Sequence, residues 1–220
     1  MSTAEDRSES LRMIRDSAAG IAPRTGDFRR IRALRFTDPG FDRGVWREMC
    51  EMGWLGLLVP ESRGGSGLGV AELCALSEEL GASLIPEPLI PGTMAAMLLP
   101  ESHLSDVFAG ERIVLPAWQE APHAIDTVGV TRLAGGRVSG KKLFVPMASG
   151  ADAFLVTVPN GLALVERSAS GVRLEIVGTQ DGGTMGTLTL EDAPAEALPG
   201  DATDALEVAT MATSAYLLGV

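Results

Sequence analysis

Residues 51–69 read EMGWLGLLVPESRGGSGLG and, after Val70, lead into AELCALSEELGASLIPEPL at 71–89. This stretch decides the fold class of the first half. Val70, Leu73, Cys74, Leu76 and Leu80 recur at helical spacing, and Gly81 with Pro86 beyond predicts the end of that helix. Ser66 or Gly69 is the expected start. Immediately upstream, Val45, Trp46, Met49, Cys50 and Met52 form a second stripe, opened by Asp42 and ended by Gly53. Glycine ends helices well because it takes positive φ without steric cost. Shorter helical runs are expected at 7–20, 92–99 and 103–109. The glycines at 64, 65, 67 and 69 suggest a phosphate-cradling loop, but such a loop should follow a strand and open a βαβ unit. Here they lie between helices, so a structural turn is the simpler reading.

After Gly110 the period changes. Ile113–Gln119 is apolar, Val128 and Val130 alternate with Gly129 and Thr131, and Gly135-Gly136 turns into Arg137–Gly140. Leu143–Val145, Phe154–Val158, Leu162–Val165, Val172–Val177 and Leu188–Leu190 read as further short strands. Asn160-Gly161 and Asp181-Gly182-Gly183 supply turns. Many short strands with frequent turns favour an antiparallel barrel or sandwich. Near Asp201 the period returns to helical, with Leu206, Val208, Ala209, Ala212, Tyr216 and Leu217 apolar along 204–218. A helix this apolar needs a cover, expected from further chain or another subunit. The fold class is therefore α+β: a helical domain at 1–110, an antiparallel β-barrel at 111–200, and at 201–220 the first helix of a truncated helical bundle.

Composition sets outer bounds. The 220 residues are 45% apolar and 21% charged, enough to build a core. A formal charge of −11 disfavours general nucleic-acid binding, which needs basic surface to release counterions. Two cysteines, Cys50 and Cys74, make no disulfide framework and no zinc spacing. No run approaches the roughly 18 apolar residues of a membrane span, and the polar, acidic N-terminus lacks a signal-peptide pattern. A cytoplasmic protein with no metal site, binding neither membrane nor nucleic acid, is expected.

The runs at 51–69 and 71–89, with FTDPGFDRGVWREM (36–49) before them, resemble the N-terminal helical domain of acyl-CoA dehydrogenases. VSGKKLFVPMASGADAFLVTV (138–158) resembles that family's middle barrel along the flavin, and TQDGGTMGTLTLEDAPAEAL (179–198) resembles the barrel's end. The likeness runs in order over residues 10–218. It implies an FAD lying between barrel and C-terminal helices, and an acyl-CoA whose α-proton goes to a Glu base and whose β-hydride goes to the flavin. It also implies assembly with like or unlike subunits, so a non-catalytic partner subunit is the alternative.

The resemblance assigns flavin-lining residues to Pro116, Trp118, Gln119, Ala124 and Ile125, and then to Phe144, Val145 and Pro146. Gln119 stands where the family has a Thr, and its amide is both donor and acceptor. Ile125 replaces a Ser, and Pro146 replaces a Thr whose hydroxyl sits near the flavin. Phe144 retains an aromatic face. The family's base lies in a C-terminal domain represented here by about one helix, so no residue, Glu120 and Glu166 included, is assigned as catalytic. Lys141 and Lys142 read as a solvated turn. Arg24, Arg29, Arg30, Arg32, Arg35 and Arg43 read as a solvated face paired with the interspersed Asp27, Asp38 and Asp42.

Overall fold

A computed structural model describes residues 4–24, 26–123 and 129–220. Helices come first: α1 (Ala4–Ala18), α2 (Arg29–Leu34), α3 (Arg43–Glu51), α4 (Val70–Ala82), α5 (Leu89–Leu98) and α6 (Leu104–Phe108). Strands follow: β1 (Val114–Ala117), β2 (Arg132–Ala134), β3 (Arg137–Pro146), β4 (Ala153–Val158), β5 (Gly161–Glu166), β6 (Val172–Gly178), β7 (Thr184–Pro194) and β8 (Glu196–Leu198). The chain closes on α7 (Thr203–Gly219). The two changes of hydrophobic period mark the two changes of element type.

The helix starts are local chemistry. The Asp42 carboxylate accepts the Gly44 N–H at 2.7 Å, satisfying a donor that the first turn of α3 leaves free. Such a cap contributes about 1 kcal/mol. At α4 the Glu72 carboxylate reaches back to the Gly69 N–H at 3.0 Å. Trp46, Met49 and Cys50 are buried on α3, and Leu73, Leu76 and Leu80 on α4. Gly81 does not end α4, which runs on to Ala82. Its role is close approach, because a Cβ there would fall far inside van der Waals contact with the Tyr216 carbonyl on α7. Gly219 presents the same constraint against the Glu78 carbonyl.

The expected cover of α7 is thus partly this chain itself. Ala205 and Ala212 are buried, and Tyr216 is half-buried. Met211, Leu217, Leu218 and Val220 remain exposed. The six-residue α2, which the sequence reading passed over, buries none of its residues.

The strands form two four-stranded sheets, ordered β1-β4-β5-β8 and β2-β3-β7-β6. Every pair is antiparallel except β1 with β4, which is parallel. The chain crosses between sheets at Ala195, between β7 and β8. Residues 137–146 form one strand, not two pieces. Its register slips at Val138/Gly140 and Lys142/Val145, the signature of bulges. Val130 and Thr131 precede β2 without joining it, and Val128 lies outside the described residues. The β4–β5 turn is Pro159-Asn160, one residue earlier than the expected Asn160-Gly161, with the positive φ of +66° on Asn160. All six residues of β4 are buried, as in a strand covered on both faces. One apolar core continues from the helices into the sheets. Arg43 of α3 bridges the two parts, donating to the Gly150 carbonyl and to Asp152.

Candidate functional site

A cavity of about 610 Å³ opens where the helical part meets the end of the second sheet. Phe28, Ile31, Leu84, Ile90, Met147 and Leu217 give it an apolar wall. The α2 segment is held over one side, because the Phe36 N–H donates to the Gly182 carbonyl at 2.9 Å. Gly182 permits this at φ +91°, since a Cβ there would stand 2.7 Å from Arg35 Cγ.

Arg32, Arg35, Glu87, Asp181 and Tyr216 are its ionisable lining residues. Tyr216 donates to the Ile85 carbonyl at 3.0 Å. Burial, with the nearby Glu87 and Asp181 carboxylates, pushes its phenol up to about 12, so it stays neutral. The Glu87 side chain is fully buried, pairs with Arg30 and accepts the Asp42 N–H at 3.0 Å. Its Oε2 and the Arg30 Nε have no hydrogen-bond partner among the described residues. The sequence reading missed Glu87, and the only local signal is a charge between two prolines, Pro86 and Pro88.

Of the residues assigned from the sequence, Pro146 lines this cavity and Met147 follows it. Phe144 is 47% exposed. It holds φ +54°, and Met147 holds +49°. Two non-glycine residues in the left-handed region within four positions mark a strand end bent against its own preference, a feature that clusters at ligand sites. Val145 between them is buried. Pro116 is buried within β1, while Trp118 and Gln119 are half-buried just beyond it. The two segments are joined: the Leu143 N–H donates to the Gln119 carbonyl at 2.7 Å. The Gln119 amide nitrogen donates to the Ala121 carbonyl at 3.1 Å. Ala124 and Ile125 lie outside the described residues.

Two charge readings change. Lys142 is no solvated turn residue; its side chain is fully buried and paired with Glu120 at 2.7 Å. Burial alone raises the Glu120 carboxyl, but hydrogen bonds from Lys142, Thr131 and the Val130 and Thr131 backbone bring it down to about 2. Burial pulls the Lys142 ammonium down, against the pull of Glu120. The basic run near the N-terminus is paired mostly at long range. Arg24 meets Glu79, Arg30 meets Glu87 and Arg43 meets Asp152, while Arg29 takes a neighbour, Asp27.

The glycine turn at 64–69 uses its own donors: Gly65 N–H bonds the Pro60 carbonyl and Gly67 N–H the Val59 carbonyl. Among the described residues no group of three His, Cys, Asp or Glu side chains could hold a metal. No helix among them is long and apolar enough to cross a membrane.

Known proteins show the same arrangement. Residues 8–100 match the acyl-CoA dehydrogenase N-terminal domain. The acyl-CoA dehydrogenase FadE27 of Mycobacterium tuberculosis is 31% identical over 211 residues, covering 86% of this chain and 56% of FadE27. A solved Tcur3481-Tcur3483 steroid ACAD variant superposes with a TM-score of 0.82 at 33% identity, covering 96% of this chain and 63% of that one. The ChsE4-ChsE5 complex of Mycobacterium tuberculosis shares the fold, with a TM-score of 0.75 at 24% identity over 99% of this chain and 64% of that one. The chain spans about half the length of the curated relatives that it matches most broadly. With the helix order, the two sheets and the matched region in agreement, residues 8–100 form an acyl-CoA dehydrogenase N-terminal domain, in a chain that takes the acyl-CoA dehydrogenase fold.

Proposed function

We propose that this chain is the FAD-binding portion of an enzyme that introduces an α,β double bond into an acyl-CoA thioester. In this reading residues 1–110 are the N-terminal helical domain, 111–200 the middle barrel and 201–220 the first helix of the C-terminal domain. The observation that carries it is the bent strand end Phe144–Met147 beside the apolar cavity. Phe144 offers a half-exposed ring for stacking, and Trp118, two residues past Pro116, offers a second. Gln119 would supply hydrogen bonding at the flavin edge, with Ala124, Ile125, Val145 and Pro146 completing the lining. These residues fit a ring held mainly by stacking and shape, because Pro146 has neither a hydroxyl nor an N–H to donate.

Bound there, the flavin would accept the hydride from the β-carbon. The cavity walls would strip water from the acyl chain and align it, which favours charge development at the α-carbon. The α-proton needs a base, and the three described groups best placed for it are already engaged. Tyr216 is neutral and committed to Ile85, Glu87 is paired with Arg30, and Glu120 is locked to Lys142.

The alternative is a non-catalytic subunit that pairs with an intact dehydrogenase. Two observations favour it: Pro146 and Gln119 stand where the family has hydroxyl residues, and the Tcur3481-Tcur3483 and ChsE4-ChsE5 neighbours each pair two different chains. Either way the partners are acyl-CoA and another acyl-CoA dehydrogenase subunit in the cytoplasm. Co-purification with a co-encoded homologue tests the choice. A chain that turns yellow with added FAD by itself supports the first reading, the homologue then bringing the Glu. A chain that takes up no FAD yet forms an active complex with the homologue supports the second.

A further inference from the structure

Lys142 stands mid-strand in β3, and all three of its ammonium protons have partners. Nζ donates to the Trp118 carbonyl at 3.2 Å, to Glu120 Oε1 at 2.7 Å and to Thr157 Oγ1 at 2.9 Å. Glu120 also accepts from the Val130 N–H at 2.6 Å, the Thr131 N–H at 3.1 Å and the Thr131 hydroxyl at 2.6 Å. Room is made by two glycines. A Cβ at Gly129 would collide with the Glu120 carboxylate, and one at Gly140 with Thr131.

A buried ion pair is weak evidence of stabilisation, because desolvation offsets most of the attraction and a well-packed apolar pair often serves as well. The arrangement makes sense as placement. Trp118, Gln119 and Glu120 are each tethered to Lys142 or Leu143: through the Trp118 carbonyl, the Gln119 carbonyl and the Glu120 carboxylate in turn. Phe144 is the very next residue. Apolar side chains would hold the strands together without fixing these three groups, because dispersion has no direction.

We propose that Lys142 and Glu120 are positioning residues that set the orientation of Trp118 and Gln119 relative to Phe144. That they do so for a flavin rests on the function proposed above; the orientation itself does not.

The test separates placement from mere support. Lys142→Met leaves Glu120 without its ammonium, whereas the double change Glu120→Leu with Lys142→Met makes the site apolar. Trp46 and Trp54 are buried and Trp118 is half-buried, so acrylamide quenching of the flavin-free protein reads chiefly Trp118. The expected result is that the double variant recovers the melting temperature that Lys142→Met loses. Its Trp118 quenching still differs from wild type, and its FAD affinity is weaker by on the order of tenfold. Wild-type quenching in a double variant of restored stability overturns the proposal. If wild type takes no FAD at all, the function proposed above fails, and the quenching comparison still decides this one. Should neither lysine variant fold, Thr131→Val removes one Glu120 contact. Altered quenching at an unchanged melting temperature then supports positioning, and unchanged quenching refutes it.

Discussion

Replacing Gly81 by Ala sets two physical effects against each other. Helix propensity alone favours Ala inside α4 by about 0.8–1.0 kcal/mol. The packing opposes it, since the new methyl would overlap the Tyr216 carbonyl far inside the 3.0 Å that real Cβ contacts keep. Neither backbone can yield alone, so α4 and α7 must part by on the order of 1 Å. Overpacking of this kind costs about 1–3 kcal/mol. Moving Tyr216 also strains its bond to the Ile85 carbonyl, worth about 1 kcal/mol. The net expectation is a loss of about 1–3 kcal/mol, or a melting temperature lower by roughly 2–12 °C. Gly178, at the end of β6, is the control, because nothing lies within 4 Å of a Cβ there. Its change to Ala should move stability by no more than about 0.5 kcal/mol. Thermal and urea unfolding of both variants check this, with hydrogen exchange along α7 locating the damage. A Gly81→Ala protein as stable as wild type, or more so, would mean that α7 is not docked on α4 as described.

Further outcomes follow from the same structure. The Glu120 carboxyl sits at about 2 when folded against an ordinary 4.5. The unfolded chain therefore takes up that proton first, and the stability the group contributes is complete above about pH 4.5 and lost as pH falls toward 2. Glu120→Gln should flatten that part of an acid titration followed by circular dichroism. Burial, with Glu51 nearby, pushes the Cys50 thiol up to about 12, and burial also raises Cys74. A thiol-disulfide reagent at neutral pH should thus react slowly with folded protein and rapidly with both cysteines in denaturant. Fast labelling of Cys50 in the native state would contradict its burial. Gly65→Ala drives a methyl into the Val59 carbonyl. It should lower the melting temperature while leaving any flavin content per folded molecule unchanged, as expected of a turn that binds nothing.

What the sequence could convey was local. The stripes of α3 and α4 were legible because buried residues repeat every turn and because the Asp42 cap acts within two residues of its target. Strands β4, β5 and β6 were legible because turns punctuate them, whereas β7 extends well beyond the expected Leu188–Leu190 and β8 carried no signal of its own. The errors share a different cause. Gly81 looked like a terminator because its real neighbour, Tyr216, lies 135 positions away in the chain. Lys142 looked solvated because a buried cation is recognisable only with its partners Glu120, Trp118 and Thr157 in place. Arg24, Arg30 and Arg43 found Glu79, Glu87 and Asp152 across the fold, and Arg29 kept to the aspartate beside it. The aromatic segments were legible by resemblance, but the backbone bond joining Gln119 to Leu143 was not.

The most direct measurement is the visible spectrum of the purified protein, with its co-encoded homologue where one exists, before and after added FAD and then acyl-CoA under anaerobic conditions. The account predicts bound flavin absorbance and quenched Trp118 emission, with bleaching by the thioester once the homologue supplies the base. A colourless protein that takes up no FAD, and whose Trp118 emission ignores it, would contradict it.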